Sequence, residues 1–158
     1  MTATSTCGFC DVEAFQEAMI YLDNDFCFYA SSRFGHTVTI LPGAGIIVPK
    51  AHRATAFDLT AAEWTATFEL LVRAREVIDQ QLAPDGYLIG WNCGPAAGQT
   101  VDHAHLHVIP RFADEPYAGR GLRWLVRQPE NVRPEPFRQG NGLAAVTPRH
   151  TPQTIASD

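Results

Sequence analysis

The sequence predicts an α+β domain with one long helix and several short strands, and three observations carry that reading. The run from Thr60 to Leu82 places apolar residues at intervals of three and four. Short runs rich in β-branched and aromatic residues lie on both sides of it, separated by Pro, Gly and Ser. The chain of 158 residues, 46% of them apolar, is long enough for one sizeable core and short for two.

The long helix is the clearest element. Thr60 with Glu63 makes a capping-box pattern, and Trp64, Phe68, Leu71, Ala74, Ile78 and Leu82 follow as a stripe expected to face the core. At ~3.6 residues per turn this is about six turns. Pro84-Asp85-Gly86 stops it, and Tyr87 to Asn92 reads as a strand. Upstream, Phe26 to Ala30 and Thr37 to Leu41 read as strands joined by the polar Ser31-Ser32-Arg33. Gly45 to Val48 forms another, between the turn signal Pro42-Gly43 and Pro49. Near the start, Val12, Phe15, Met19, Ile20 and Leu22 suit a short amphipathic helix entered through Asp11. Gly121 to Arg127 suits a second short helix. From 129 to 158 the chain holds five prolines and few large apolar residues, so the expected organisation is one domain over 1–128 and a Pro-rich C-terminal extension over 129–158.

The net charge of −5 opposes broad adhesion to nucleic acid, which needs clustered Lys and Arg. No run approaches the ~20 apolar residues that span a bilayer, and no leader pattern precedes Phe9, so a cytoplasmic location is expected. In a reducing compartment Cys7, Cys10, Cys27 and Cys93 are poor material for a disulfide framework. The close pair Cys7 and Cys10 suits half of a metal site, or a pair of buried or redox-active thiols. Cys27 and Cys93 read as small packing residues, Trp64 and Trp91 as core aromatics, and His36 as a solvated loop side chain.

The most informative stretch is H-A-H-L-H-V-I-P-R, from His103 to Arg111. On a strand, side chains alternate, so His103, His105 and His107 point one way and Ala104, Leu106 and Val108 the other. Alternate imidazoles then stand roughly 6.6 Å apart, a span that lines an elongated polar substrate or divides between a metal and a substrate. A neutral imidazole is a competent nucleophile towards phosphorus, and neighbouring imidazoles discourage one another's protonation. The same row also suits a surface metal clip or a solvated face. A metallo-β-lactamase pattern would need an Asp then a His after H-x-H, and a cupin site a Glu three or four positions on. Leu106-His107 and the distant Glu115 supply neither.

With Asn92 to Asp102 (N-C-G-P-A-A-G-Q-T-V-D) before it and Pro110-Arg111 after it, this stretch resembles the histidine-triad (HIT) family, whose motif is H-φ-H-φ-H-φ-φ with φ apolar. In looser form the likeness runs from Cys7 to Arg111. The resemblance implies a HIT-like fold, with a mostly antiparallel sheet of about five strands, one long helix and a short N-terminal helix. It also implies a homodimer. His105 would attack the α-phosphate of a nucleotide to form a covalent nucleotidyl-histidine, with His107, Gln99, Thr100, the backbone N–H of Val101 and Asn92 around the phosphate. Bacterial members with C-x-x-C and a His after V-P-K resemble Cys7, Cys10, His52 and His103 here. That implies a structural Zn²⁺ site.

The expected function is therefore hydrolysis, or transfer to another acceptor, of a nucleotidyl group from a dinucleoside polyphosphate or a nucleoside phosphoramidate-like conjugate. The alternative is a nucleotide-binding regulatory or interaction protein without turnover. Repair of adenylated nucleic-acid ends is opposed by the acidic balance.

Overall fold

In the computed structural model, which describes residues 7–16, 18, 20–31 and 41–131, five strands make one sheet. They are β1 (Tyr21–Asp23), β2 (Cys27–Ser31), β3 (Gly45–Pro49), β4 (Gly86–Trp91) and β5 (Leu106–Arg111). The spatial order is β1-β2-β3-β5-β4, and every neighbouring pair is antiparallel. β1 and β4 are therefore the edges. The predicted sheet and long helix are both present.

Helix α1 (Ala61–Leu82) starts where the capping box places it. The Thr60 hydroxyl accepts the Glu63 N–H, and the Glu63 carboxylate accepts the Thr60 N–H at 2.7 Å. The helix packs on one sheet face, where Cys27, Tyr29, Ile47, Leu106 and Val108 meet Ala66, Leu70, Ala74 and Ile78. Small side chains at 66 and 74 let the helix lie close to the strands. The apolar stripe expected to face the core is accordingly rotated: Ala74 and Ile78 are buried, but Trp64 is 45% and Phe68 64% exposed. The face that packs sets Ala66 and Ala74 beside Leu70 and Ile78, while Trp64, Phe68 and Val72 are turned outward. Trp91 is half-buried and stacks edge-on against Trp64, ring centroids 5.5 Å apart.

The opposite face carries Phe28, Ala30, Ile46 and Val48, covered by Phe9, Val12, Phe15 and Tyr21. The segment that supplies this cover is not the amphipathic helix expected over Val12 to Leu22. It is two 3₁₀ turns, Gly8–Cys10 and Val12–Phe15, after which Tyr21 and Leu22 pair into β1. Local 3.6-residue periodicity gave way there to pairing with β2. Met19 and His36 lie outside the described residues, as does the expected Thr37 to Leu41 strand except for Leu41, which has no strand assignment. Cys27 is buried, as expected of a packing residue, and Cys93 packs beside Ala56, Leu59 and Ala104.

Residues from Leu122 onward form a unit of their own. It holds α2 (Leu122–Val126), within the expected short helix, and a 3₁₀ turn at Pro129–Asn131. The rest of the expected extension, 132–158, lies outside the described residues.

Candidate active site and metal cluster

The histidine row straddles the start of β5. Pairing begins at Leu106, so His103 and His105 belong to the approach to the strand and His107 to the strand itself. The alternation holds through this approach: Ala104 packs with Ala56 and Leu59, and Leu106 joins the helix-side core. His107 is opposite Ile46 in the register, on the face away from α1. The His105 and His107 rings lie closer than a flat strand predicts, with centroids 4.8 Å apart and planes at 71°. Side chains of alternate residues can lean together even where their Cα atoms cannot.

Hydrogen bonds set the tautomers. His105 donates Nδ1–H to the backbone carbonyl of His103 at 2.8 Å, because a carbonyl can only accept. In the neutral ring, this bond assigns the lone pair to Nε2. His103 donates Nε2–H to the carbonyl of Pro49 at 2.8 Å, which leaves its Nδ1 free to ligate. His107 Nε2 is buried with no hydrogen-bond partner among the described residues, unusual for a buried polar nitrogen. Burial, and then the neighbouring His105, holds His107 below the usual histidine range, so it stays neutral near pH 7.

Cys7, Cys10, His52 and His103 converge, with their ligand atoms all within 4.8 Å of one another. Cys7 Sγ is 3.4 Å and Cys10 Sγ 3.6 Å from His103 Nδ1, and Cys10 Sγ is 3.6 Å from His52 Nδ1. A tetrahedron with metal–sulfur bonds of ~2.3 Å and metal–nitrogen bonds of ~2.1 Å has edges of about 3.4–3.8 Å. Three of the six separations match such an edge and the others lie within 4.8 Å, so the cluster could hold a metal. Burial, then the Cys7 thiol, raises the Cys10 thiol above its ordinary value, so a cation bound there would have to displace its proton.

The loop before the row is held by Gln99. Its Oε1 accepts the Gly94 N–H at 2.7 Å, and its Nε2 donates to the carbonyls of Ala54 at 2.6 Å and Val101 at 3.0 Å. Both of its N–H groups are thereby engaged within the protein. Gly94 and Gly98, at φ of 87° and 89°, turn the backbone as this clamp requires. Asn92 Nδ2 reaches the Gly98 carbonyl at 3.4 Å, and Thr100 is exposed at the loop's end. Ser31, expected to begin the polar connection, instead ends β2, where it is buried and accepts the Ile20 N–H through Oγ at 2.8 Å.

Two contributors have no sequence pattern that announces them. Arg53, beside His52, pairs with buried Glu63 through Nε and Nη2, both 3.0 Å from Oε1, while its carbonyl accepts the Ala104 N–H at 2.6 Å. One residue thus ties the His52 loop, the start of α1 and the backbone between His103 and His105. Phe9 lies between the two cysteines and meets the His105 ring. Only the local capping pattern of Glu63 was legible beforehand; its partner ten residues away was not.

This fold, with paired imidazoles at the mouth of an antiparallel sheet, is that of a histidine-triad protein. The chain matches the HIT domain over residues 23–114 and belongs to that family. It is 36% identical over 81 residues to the asymmetrical bis(5'-nucleosyl)-tetraphosphatase of Schizosaccharomyces pombe, covering 51% of this chain and 44% of that protein. It is 36% identical over 72 residues to the bis(5'-adenosyl)-triphosphatase of Dictyostelium discoideum, covering 46% and 48%. The adenosine 5'-monophosphoramidase of S. pombe is 29% identical over 91 residues, covering 58% and 65%. The matched segments thus span about half the length of the first two relatives. Among solved structures, a HIT family protein of Bacillus anthracis is similar at a TM-score of 0.58 and 27% identity, covering 70% of this chain and 76% of that one. One from Bacillus subtilis, at 22% identity, shares the fold at a TM-score of 0.61, covering 84% and 90%.

Proposed function

We propose that this chain is a nucleotide hydrolase or nucleotidyl transferase in which His105 attacks the α-phosphate of a dinucleoside polyphosphate or a nucleoside phosphoramidate-like conjugate. The observation that carries this reading is the His105 Nδ1–H bond to the His103 carbonyl, which leaves Nε2 as an available nucleophile beside the unpartnered Nε2 of His107. Nε2 forms a bond to phosphorus, and the bond to the leaving oxygen or nitrogen breaks with its electron pair, that atom then taking a proton. The imidazole becomes positive, and the His103 carbonyl stabilises that charge through the same hydrogen bond. Water, or another acceptor, next displaces His105 from phosphorus and restores the lone pair.

His107, Thr100 and the backbone N–H of Val101 take the phosphate oxygens in this reading, while Gln99 and Asn92 hold the loop that presents them. The relatives named for cleaving bis-nucleosyl polyphosphates and a phosphoramidate support a nucleotide substrate. Turnover of a panel of such compounds by the wild type and by His105→Ala tests the proposal. A variant that keeps full turnover removes the nucleophile.

Cys7, Cys10, His52 and His103 would hold Zn²⁺ as a closed structural site, since two thiolates and two imidazoles are its preferred donors and their ligand atoms converge within 4.8 Å of one another. His103, held as a ligand, would keep in place the carbonyl that orients His105. Homodimerisation belongs to the same proposal. Edge strand β4 exposes Ile89, and Trp64, Phe68 and Val72 leave an apolar strip on α1. Edge-to-edge pairing of β4 with helix packing alongside would cover both.

A further inference from the structure

Phe9 occupies the one 3₁₀ turn, Gly8–Cys10, that ends in the second cysteine of the metal cluster. Its ring lies 5.2 Å from the His105 ring with the planes at 85°, and 6.1 Å from that of His103. On its other side it meets Phe15 at 5.6 Å, and Phe15 meets the fully buried Phe28 at 5.0 Å. His105 is thus braced through two aromatic rings against the body of the sheet.

A hydrogen bond at Nδ1 alone leaves an imidazole some freedom, because its outer torsion has broad minima. A ring packed edge-on beside it removes much of that freedom. Among the described residues the turn carrying Phe9 is held locally by one backbone bond, Cys10 N–H to the Cys7 carbonyl at 3.0 Å, too little to order so short a segment alone. Fixing the thiolates at positions 7 and 10 anchors Phe9 from both sides.

Resting on the functional reading above, we propose that Phe9 is a positioning residue for His105, and that it transmits metal occupancy at Cys7, Cys10, His52 and His103 to the orientation of that imidazole. Metal binding and catalytic competence are then linked through packing as well as through the His103 backbone. No residue need move far: loss of the ion loosens the turn, the Phe9 ring withdraws, and His105 samples rotamers in which Nε2 no longer faces the phosphate.

The test uses the full chain as wild type and as Phe9→Ala, Phe9→Leu and Phe9→Tyr. Zinc content, the ¹⁵N shifts of the His105 ring nitrogens, and kcat and KM on diadenosine tetraphosphate are measured for each. The wild type is expected to show one protonated and one bare nitrogen. Phe9→Ala should keep its zinc, average those two shifts, and lose kcat by about tenfold with KM within about twofold. Phe9→Tyr, which keeps the ring, should recover both readouts better than Phe9→Leu. Chelating the wild type should move the His105 shifts as Phe9→Ala does. Zinc-loaded Phe9→Ala with unchanged shifts and kcat overturns the proposal, as does a chelated wild type whose His105 signals stay in place. Phe9→Ala that loses zinc, with Phe9→Leu restoring both zinc and full rate, overturns it too by reducing Phe9 to loop packing. A wild type with no turnover on any nucleotide, whose His105 shifts still respond to Phe9→Ala, refutes the functional reading and leaves the positioning role standing.

Discussion

His105 donates its Nδ1–H to the backbone carbonyl of His103, 2.8 Å away and two residues earlier in the chain. The side chain that would react is therefore held by the backbone of the side chain that would bind metal. One bond selects the tautomer of the neutral ring, contributes with Phe9 to aiming Nε2, and offers an acceptor for the charge that attack creates. It also explains why adjacent members of one histidine row can do different jobs. His103 turns its Nδ1 to the cysteines, while His105 turns its Nδ1 to the chain.

His107 carries a buried nitrogen without a partner among the described residues, a feature that costs folding about 1–3 kcal/mol until a ligand satisfies it. Replacing His107 by Leu should therefore leave the nucleotide-free thermal midpoint at or above that of the wild type, while turnover falls roughly a hundredfold. Differential scanning calorimetry beside steady-state kinetics checks both. A variant that is clearly less stable yet fully active would assign the nitrogen no role with substrate.

Metal removal should be felt in stability as well as chemistry. The wild type is expected to carry one zinc per chain by elemental analysis, and Cys7→Ser and Cys10→Ser to lose it together with several degrees of thermal midpoint. A chelator should lower the wild-type midpoint and leave the two variants unmoved. Equal midpoints with and without chelator would count against a structural ion.

The Arg53–Glu63 pair predicts a pH dependence of stability. Burial pushes the Glu63 carboxyl up, but Arg53 and the Thr60 N–H and hydroxyl outweigh it and hold the group below its ordinary value. A folded-state value below the unfolded one means stability that is present above the unfolded value of about 4.3 and is lost as pH falls through the folded one. Glu63→Gln should flatten the stability profile in that acid range and cost roughly 1–3 kcal/mol at pH 7, a figure reduced because Arg53 is partly solvated. Urea unfolding from pH 3 to 7 reads the effect, and parallel profiles for the two proteins would contradict it.

The exposed strip on α1 predicts association through that helix and β4. Trp64→Glu places a charge where Trp64 meets Trp91, and Ile89→Lys places one on the edge strand. Sedimentation should show a wild-type dimer and largely monomeric variants. Dimers that persist in both variants would locate the interface elsewhere.

How much of this was legible in the sequence depends on the range of the interaction. The Thr60–Glu63 capping box and the apolar reverse of the histidine row are written in spacings of two to four residues, and both stand in the structure. The choice of buried face on α1 was not, because Ala66 and Ala74 win it by fitting against strands that are distant in the chain. The Val12 to Leu22 segment misled for the same reason: Tyr21 and Leu22 answer to Ala30 and Tyr29 across the sheet rather than to their own neighbours. At the site, the residue types together with the family resemblance named the two cysteines and two histidines that converge. The Gln99 clamp, the Arg53 tie and the Phe9 contact depend on where loops meet, which no local pattern records.

The central claim is that His105 becomes covalently nucleotidylated. Rapid mixing of the protein with diadenosine tetraphosphate, an alkaline quench within the first turnover and mass spectrometry of the digest measure it directly. The account predicts a single adenylyl adduct on the peptide bearing His105, absent from His105→Ala, which should also lose at least about a thousandfold in kcat. Steady turnover with no adduct on that peptide, or full turnover in His105→Ala, would contradict it.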